Sequence, residues 1–290
     1  MAIDFSDPHV RRTYAERGAS PGWSSAIVEI AGNVQGRVIV DLGCGGGIYS
    51  QAWLSLGVSR VIGVDSSAQF LGAASEAIRD DRFEVVHADA ARTGLRDASA
   101  DIVFARALVH HLPDLDAFVA ECARILRPGG RLIVQDRTIH DVEQPPAPDH
   151  PRGYFFTVHP HLLEIERKRR PTTSAISDRL TSEGFEAVQS RTLWEERRSY
   201  TTVEEYQADI AARTGRSILY ELSDGELHQL VSALGTALPS GHPVTERDRW
   251  TIWTAVKPHG PLLLNQVARS PRTNAAQTPT ASAHTAVGYG

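Results

Sequence analysis

The chain has 290 residues, 41% hydrophobic and 22% charged, enough for one large α/β domain with a sizeable core and no need of disulfides. No apolar run nears the roughly 20 residues that span a bilayer, and the opening MAIDFSDPHV lacks the basic-then-apolar order of a secretory signal, so a cytoplasmic protein away from membranes is expected. A formal net charge of -5 argues against a nucleic-acid partner, and the two cysteines, Cys44 and Cys122, lie too far apart in sequence to suggest a disulfide framework or a zinc cluster.

Residues 8–31 read as one or two helices, with Ser24 and Ser25 as caps near a second start. From 37 to 138 short β-branched runs alternate with helical stretches, the pattern of βαβ units and a parallel sheet. The predicted strands are 37–42, 60–65, 83–88, 100–106 and 131–136, with helices at 48–56, 68–78 and 114–126. In LRPGG (126–130) proline and paired glycines end the last of these helices. An insertion at about 139–175 follows, then a helix at 176–184 and strands at 187–194 and 248–257, which form an antiparallel edge of the same sheet. Residues 202–238 are then an insertion within that pair, and Tyr206, Ile210, Ile218, Leu219, Leu222, Leu227, Leu230 and Leu234 give it helical spacing. The Pro, Ser, Thr, Ala and Gly content of 259–290 predicts a disordered tail. The expectation is one domain over 1–258: a doubly wound, Rossmann-like α/β sheet, mostly parallel with an antiparallel edge strand, with helical insertions acting as a lid.

The segment VIVDLGCGGGIYSQAWL (38–54) joins a buried strand, a glycine-rich turn and a helix start, which brings backbone amides against a small charged ligand. A dinucleotide fingerprint asks for glycine where Ile48 stands, and no GxxxxGK[ST] loop is present.

Five segments, VDLGCGGG (40–47), VIGVDSS (61–67), HADAARTGL (87–95), ADIVFARALVHHLPD (100–114) and LRPGGRLIVQD (126–136), carry a family resemblance in this order and spacing. Together they resemble class I S-adenosylmethionine-dependent methyltransferases, in the ubiquinone/menaquinone-biosynthesis-like group that acts on small molecules. The resemblance implies S-adenosylmethionine as cofactor and S-adenosylhomocysteine as product. It implies that Asp41 accepts from the methionyl ammonium while Gly43, Gly45 and Gly46 let the backbone approach. Asp65, 20 residues beyond Gly45, would take both ribose hydroxyls, with Ser66 beside it. Asp89 and the amide of Ala90 would meet the adenine amino group, Arg106 would border the methionyl end, and Tyr14 would cover the cofactor.

Methyl transfer from a sulfonium needs alignment and, for some acceptors, removal of a proton, so no universal catalytic residue is expected. By position after the fourth strand His110 and His111 are candidate bases, although HHLPD recurs in relatives with different acceptors. Asp136 ends the fifth strand and is a third catalytic candidate. For the acceptor, Arg137, Tyr154, Phe155 and Trp194 are candidate pocket residues, with Phe156 beside them. Arg169 or Arg170, together with Arg197, Arg198 or Arg213, would bind a carboxylate or phosphate on it. Aromatics that merely pack the insertion are the plainer reading of 154–156. His140, His150, His159 and His161 fit no compact zinc pattern, so no metal is expected. The partner is a small-molecule acceptor, and the chain would be a monomer or a homodimer. The alternatives are a protein that binds S-adenosylmethionine without methyl transfer, and an enzyme that methylates a macromolecule.

Overall fold

The computed structural model describes residues 18–259. Tyr14, the start of the expected N-terminal helices and the tail from 260 lie outside the described residues. The first helix is α1 (Pro21–Ala31), capped by Ser20, whose hydroxyl accepts from the Trp23 N–H at 3.1 Å. Ser24 and Ser25, expected as caps, lie inside it; Ser20 stands before a proline, the residue suited to a first helical position, and takes the role.

The αβ alternation follows: β1 (Val38–Leu42), α2 (Ile48–Ser55), β2 (Arg60–Asp65), α3 (Ala68–Ala77), β3 (Phe83–His87), β4 (Ala100–Arg106), α4 (Leu115–Ile125) and β5 (Leu126–Asp136). β5 begins earlier than expected because LRPGG itself pairs: Leu126 stands opposite Ala100 across a bulge, and Gly129 N–H donates to Lys257 O at 2.8 Å. After β5 come α5 (Ile139–Val142), α6 (Gly153–Val158), α7 (His161–Arg169), α8 (Thr173–Ser182), β6 (Glu186–Tyr200), α9 (Val203–Ala211), α10 (Asp224–Ala237) and β7 (Val244–Val256).

The sheet order is β3-β2-β1-β4-β5-β7-β6, with β1 to β5 parallel and β7 antiparallel to both neighbours. Chain order reverses between β1 and β4, so the carboxyl ends of these strands flank a switch-point crevice, where open α/β sheets bind ligands. Alternate residues of β4 feed opposite faces: Ile102 and Phe104 join one apolar layer with Trp23, Trp53 and Ile133, while Val103 and Ala105 join another with Phe118, Val134 and Trp253. Both faces are therefore covered, as a parallel sheet requires. A third apolar cluster, with Phe155, Leu162, Tyr206, Ile210, Leu230 and Leu234, unites α6, α7, α9 and α10. The helices after β5 and those between β6 and β7 thus share a core of their own. Both antiparallel strands run longer than expected, β6 on to Tyr200 and β7 from Val244, because the charged residues between pair across the ribbon: Glu196 stands opposite Arg247, and Arg198 opposite Glu246.

Candidate active site

The glycine turn after β1 is pinned to β2. Gly43 and Cys44 both donate to Val64 O, at 2.8 and 3.1 Å, and Gly45 N–H donates to Asp65 Oδ2 at 2.9 Å. Gly43 has φ +69°, and a Cβ there would lie 2.8 Å from Leu108, so only glycine fits. At Gly46 an added Cβ would meet nothing within 4 Å: the turn presents open space there. A cavity of about 330 Å³ opens beside it, lined in part by Gly46, Gly47, Ile48, Gln51 and Ile78.

The carboxylates expected at the strand ends surround this turn. Asp41 is 2% exposed, and the Ser50 hydroxyl donates to it at 2.6 Å. Burial pushes its carboxyl up to about 7, with the neighbouring Asp65 adding to the rise and Ser50 and Arg106 opposing it. Asp65 Oδ1 accepts from Ser67 N–H at 2.9 Å, so this side chain also organises the loop, and burial raises its carboxyl above the ordinary range. Ser66 is exposed and its carbonyl accepts from His87 Nε2 at 2.9 Å. Asp89 is exposed, with Oδ1 accepting from Ala91 N–H at 2.7 Å, and Ala90 is buried beside it.

Arg106 is stacked between Tyr49 and Trp250, its guanidinium carbon 4.2 and 3.9 Å from the ring centroids. Its Nη2 donates to Glu195 Oε1 at 2.9 Å. The Tyr49 hydroxyl donates to the same oxygen at 2.9 Å, Gln135 Nε2 donates to Glu195 Oε2 at 2.9 Å, and Trp23 Nε1 donates to Gln135 Oε1 at 2.9 Å. Glu195 is thus the hub of a buried network that sequence reasoning missed. Its signal was period two: Leu193, packed on the core, and Glu195 share a strand face once β6 is continued past Trp194.

His110 and Asp136 come together. His110 Nδ1 lies 2.8 and 2.9 Å from the two Asp136 oxygens, and Arg170 Nη1 donates to Oδ1 at 3.0 Å. Burial alone would raise the Asp136 carboxyl, but His110, Arg170 and the Arg137 N–H hold it far below the usual range. Burial lowers the His110 imidazole below its ordinary value, against the opposing pull of Asp136. A neutral His110 that donates from Nδ1 to this carboxylate keeps its lone pair on Nε2. His111 is exposed, its ring 3.9 Å from that of His110.

The acceptor-side candidates are found among partners of their own. Phe155 is fully buried in the apolar cluster of the insertion helices, so it holds helices together and walls no pocket, while Tyr154 and Phe156 are half-buried against that cluster and Phe156 also lines a cavity of about 450 Å³ with Val142, Thr157 and Leu163. Trp194 is 39% exposed, beside His150 and Arg247. Arg170 reaches no free anion: Nε donates to Glu166 Oε2 at 2.6 Å and Nη1 to Asp136, so its role is to brace that carboxylate. Arg169 takes the other Glu166 oxygen at 2.5 Å, Arg197 donates to the carbonyls of Thr214 and Gly215, Arg198 to Asp209 and Arg213 to Leu222 O. Arg137 is buried, 3.6 Å from Asp248, and burial lowers its guanidinium to about 10. Of the four histidines, His140 is exposed, His150 Nδ1 donates to Arg247 O at 2.8 Å, and His159 and His161 come together with Glu226.

Residues 40–134 match the family model described as a methyltransferase domain. The ubiquinone biosynthesis O-methyltransferase of Methylococcus capsulatus is 35% identical over 104 residues, 35% of this chain and 44% of that protein, so the match spans less than half of the relative. Among solved structures, phosphoethanolamine N-methyltransferase 2 of Haemonchus contortus, in complex with phosphomonomethylethanolamine and S-adenosylhomocysteine, is 19% identical with a TM-score of 0.56, covering 86% of this chain and 56% of that one. The [4+2]-cyclase SpnF is 17% identical with a TM-score of 0.56, covering 87% of this chain and 93% of that one. These likenesses are of fold.

Proposed function

From a chain whose residues 40–134 match the methyltransferase-domain family model, we propose an enzyme that moves a methyl group from S-adenosylmethionine to a small organic acceptor. The observation that carries this reading is the buried Asp41 carboxylate at the end of β1, facing the carboxylate of Asp65 and a glycine turn with open space at Gly46. A carboxylate buried this deeply calls for a cation, and the methionyl ammonium is one. The Asp65 oxygens already hold Gly45 and Ser67, and each has a second lone pair for a ribose hydroxyl. Asp89, Ala90 and Ser66 would hold the adenosine side.

Bound S-adenosylmethionine would supply an activated methyl on a sulfonium and leave as S-adenosylhomocysteine. The protein's task is then to align the acceptor and take its proton. His110, kept neutral by burial and oriented by Asp136, is suited to receive the proton of a hydroxyl, and O-methylation, the activity named for the relatives, is the reading preferred here. Arg170 and Glu166 keep Asp136 in place. The helices of 139–175 and 202–238 would cover the acceptor as a lid, with their shared core keeping them one unit. No helix among the described residues is long and apolar enough to cross a membrane. SpnF supports a second reading, cofactor binding without methyl transfer, because the same fold there serves a cyclase.

Calorimetric titration with S-adenosylmethionine and S-adenosylhomocysteine, on wild type and Asp65→Ala, tests the cofactor site. Micromolar binding that the variant weakens by about 1–3 kcal/mol is expected. Binding of neither ligand would overturn the proposal; binding without turnover across a panel of hydroxylated and aminated acceptors would favour the second reading.

A further inference from the structure

His159, His161 and Glu226 come from three places in the chain: the residue that closes α6, the first of α7, and the third of α10. One ligand-capable atom from each lies within 4.8 Å of those of the other two. His161 Nε2 and Glu226 Oε1 are 3.8 Å apart. Two ligands on a tetrahedral zinc with bonds of about 2.0–2.1 Å stand roughly 3.3 Å from each other, so a small rotamer change closes this edge.

The three side chains are prepared to different degrees. His159 is 6% exposed, and its Nε2 donates to the carbonyl of Glu226 at 2.8 Å. A ring N–H tied to a backbone carbonyl is how proteins fix the orientation and tautomer of a liganding histidine. In Glu226 the Oε2 oxygen is occupied by the N–H and hydroxyl of Ser223, at 2.9 and 2.7 Å, which turns Oε1 toward His161. The His161 and Glu226 side chains are 47% and 37% exposed, so an ion can enter from solvent and both can adjust. Two imidazoles and one carboxylate make a borderline donor set that suits zinc and disfavours calcium or magnesium, which prefer all-oxygen shells.

We propose that His159, His161 and Glu226 form a zinc site, with water in the remaining coordination positions. The ion joins the helices after β5 to the helix pair between β6 and β7, and so clamps the two insertions to each other. None of its ligands is among the residues assigned to methyl transfer, so the site is a fastening and takes no part in the chemistry.

The test is calorimetric titration of metal-free, untagged protein with zinc chloride, together with its thermal unfolding with and without the ion. The variants are His161→Ala and Glu226→Gln, the second of which keeps an acceptor for the Ser223 cap. One equivalent of zinc should bind and raise the unfolding temperature, and each variant should weaken binding by at least about tenfold while its metal-free unfolding stays that of wild type. Absence of one-equivalent binding would overturn the proposal. So would binding that both variants retain, which would assign the zinc to other histidines.

Discussion

Replacing Asp41 with asparagine should stabilise the ligand-free protein, and by more as the pH rises. Asp41 titrates near 7 in the folded chain because burial penalises its charged form, whereas in the unfolded chain it titrates near the ordinary carboxylate value. A group whose folded pKa is raised contributes stability that is whole below the unfolded pKa and lost as pH rises through the folded one. At about 1.4 kcal/mol per unit, the full loss is about 4 kcal/mol, of which about 2.5 kcal/mol falls between about pH 5 and about pH 8. Asparagine keeps an oxygen for the Ser50 hydroxyl and does not titrate, so the stability difference between variant and wild type should grow by that amount over the same range. Chemical denaturation of both proteins at several pH values measures it. A difference independent of pH would refute the argument, because the carboxylate would then carry no burial penalty. The same reasoning links Asp41 to its ligand. Binding of S-adenosylmethionine below about pH 7 should release a proton from wild type and none from Asp41→Asn, which titrations in buffers of different ionisation enthalpy detect.

Two further outcomes separate fold from function in the same site. Gly46→Ala, with φ outside the left-handed region and open space for the methyl, should leave stability within about 0.5 kcal/mol yet weaken cofactor binding, whereas Gly43→Ala should destabilise the fold by about 1–3 kcal/mol through its backbone strain and its contact with Leu108; equal effects on stability would sink the distinction. His110→Gln should lower kcat by about 10²–10⁴ with cofactor affinity unchanged, and because burial holds His110 below its ordinary value, the wild-type acid limb should lie below about pH 6.5. An acid limb above that value would rule out this histidine as the base.

The βαβ half of the fold was legible because its central strands β1, β2 and β4 are short apolar runs with both faces buried, so composition marks them; β2 and β4 fall where the sequence put them. The antiparallel ribbon was cut short at both strands. EERRSY and VTER look like loop, and only pairing with each other, which no local window contains, makes strands of them. The site divides in the same way. The positions of Asp41, Asp65 and Asp136 were legible because the end of a parallel strand fixes where its closing side chains lie. For the aromatics of 154–156 the sequence left both a pocket wall and plain packing open, since an apolar residue in an insertion carries no mark of whether it faces a cavity or a neighbouring helix; here the helices of the second insertion claim Phe155. Glu195 and Glu226 were missed for a plainer reason. Each is one acid among several, and its partners, Arg106 and Gln135 in one case, His159 and His161 in the other, lie tens of residues away.

The position of β7 also sets the order in which the molecule can be completed. β7 is the last strand among the described residues, yet it lies between β5 and β6. While the protein is being synthesised, the β5 edge with Leu132, Ile133 and Val134 has no neighbour on that side until residues 244–256 emerge. At about 5–20 residues per second the intervening hundred or so residues take roughly 5–20 s, during which an apolar strand edge is open to pairing with other chains. Lengthening the segments between β5 and β7 adds only about 0.6 kcal/mol per doubling to the cost of closure, but it prolongs this interval in direct proportion. Room for new inserted helices is therefore limited by the time the nascent sheet stays open, more than by the stability of the finished one.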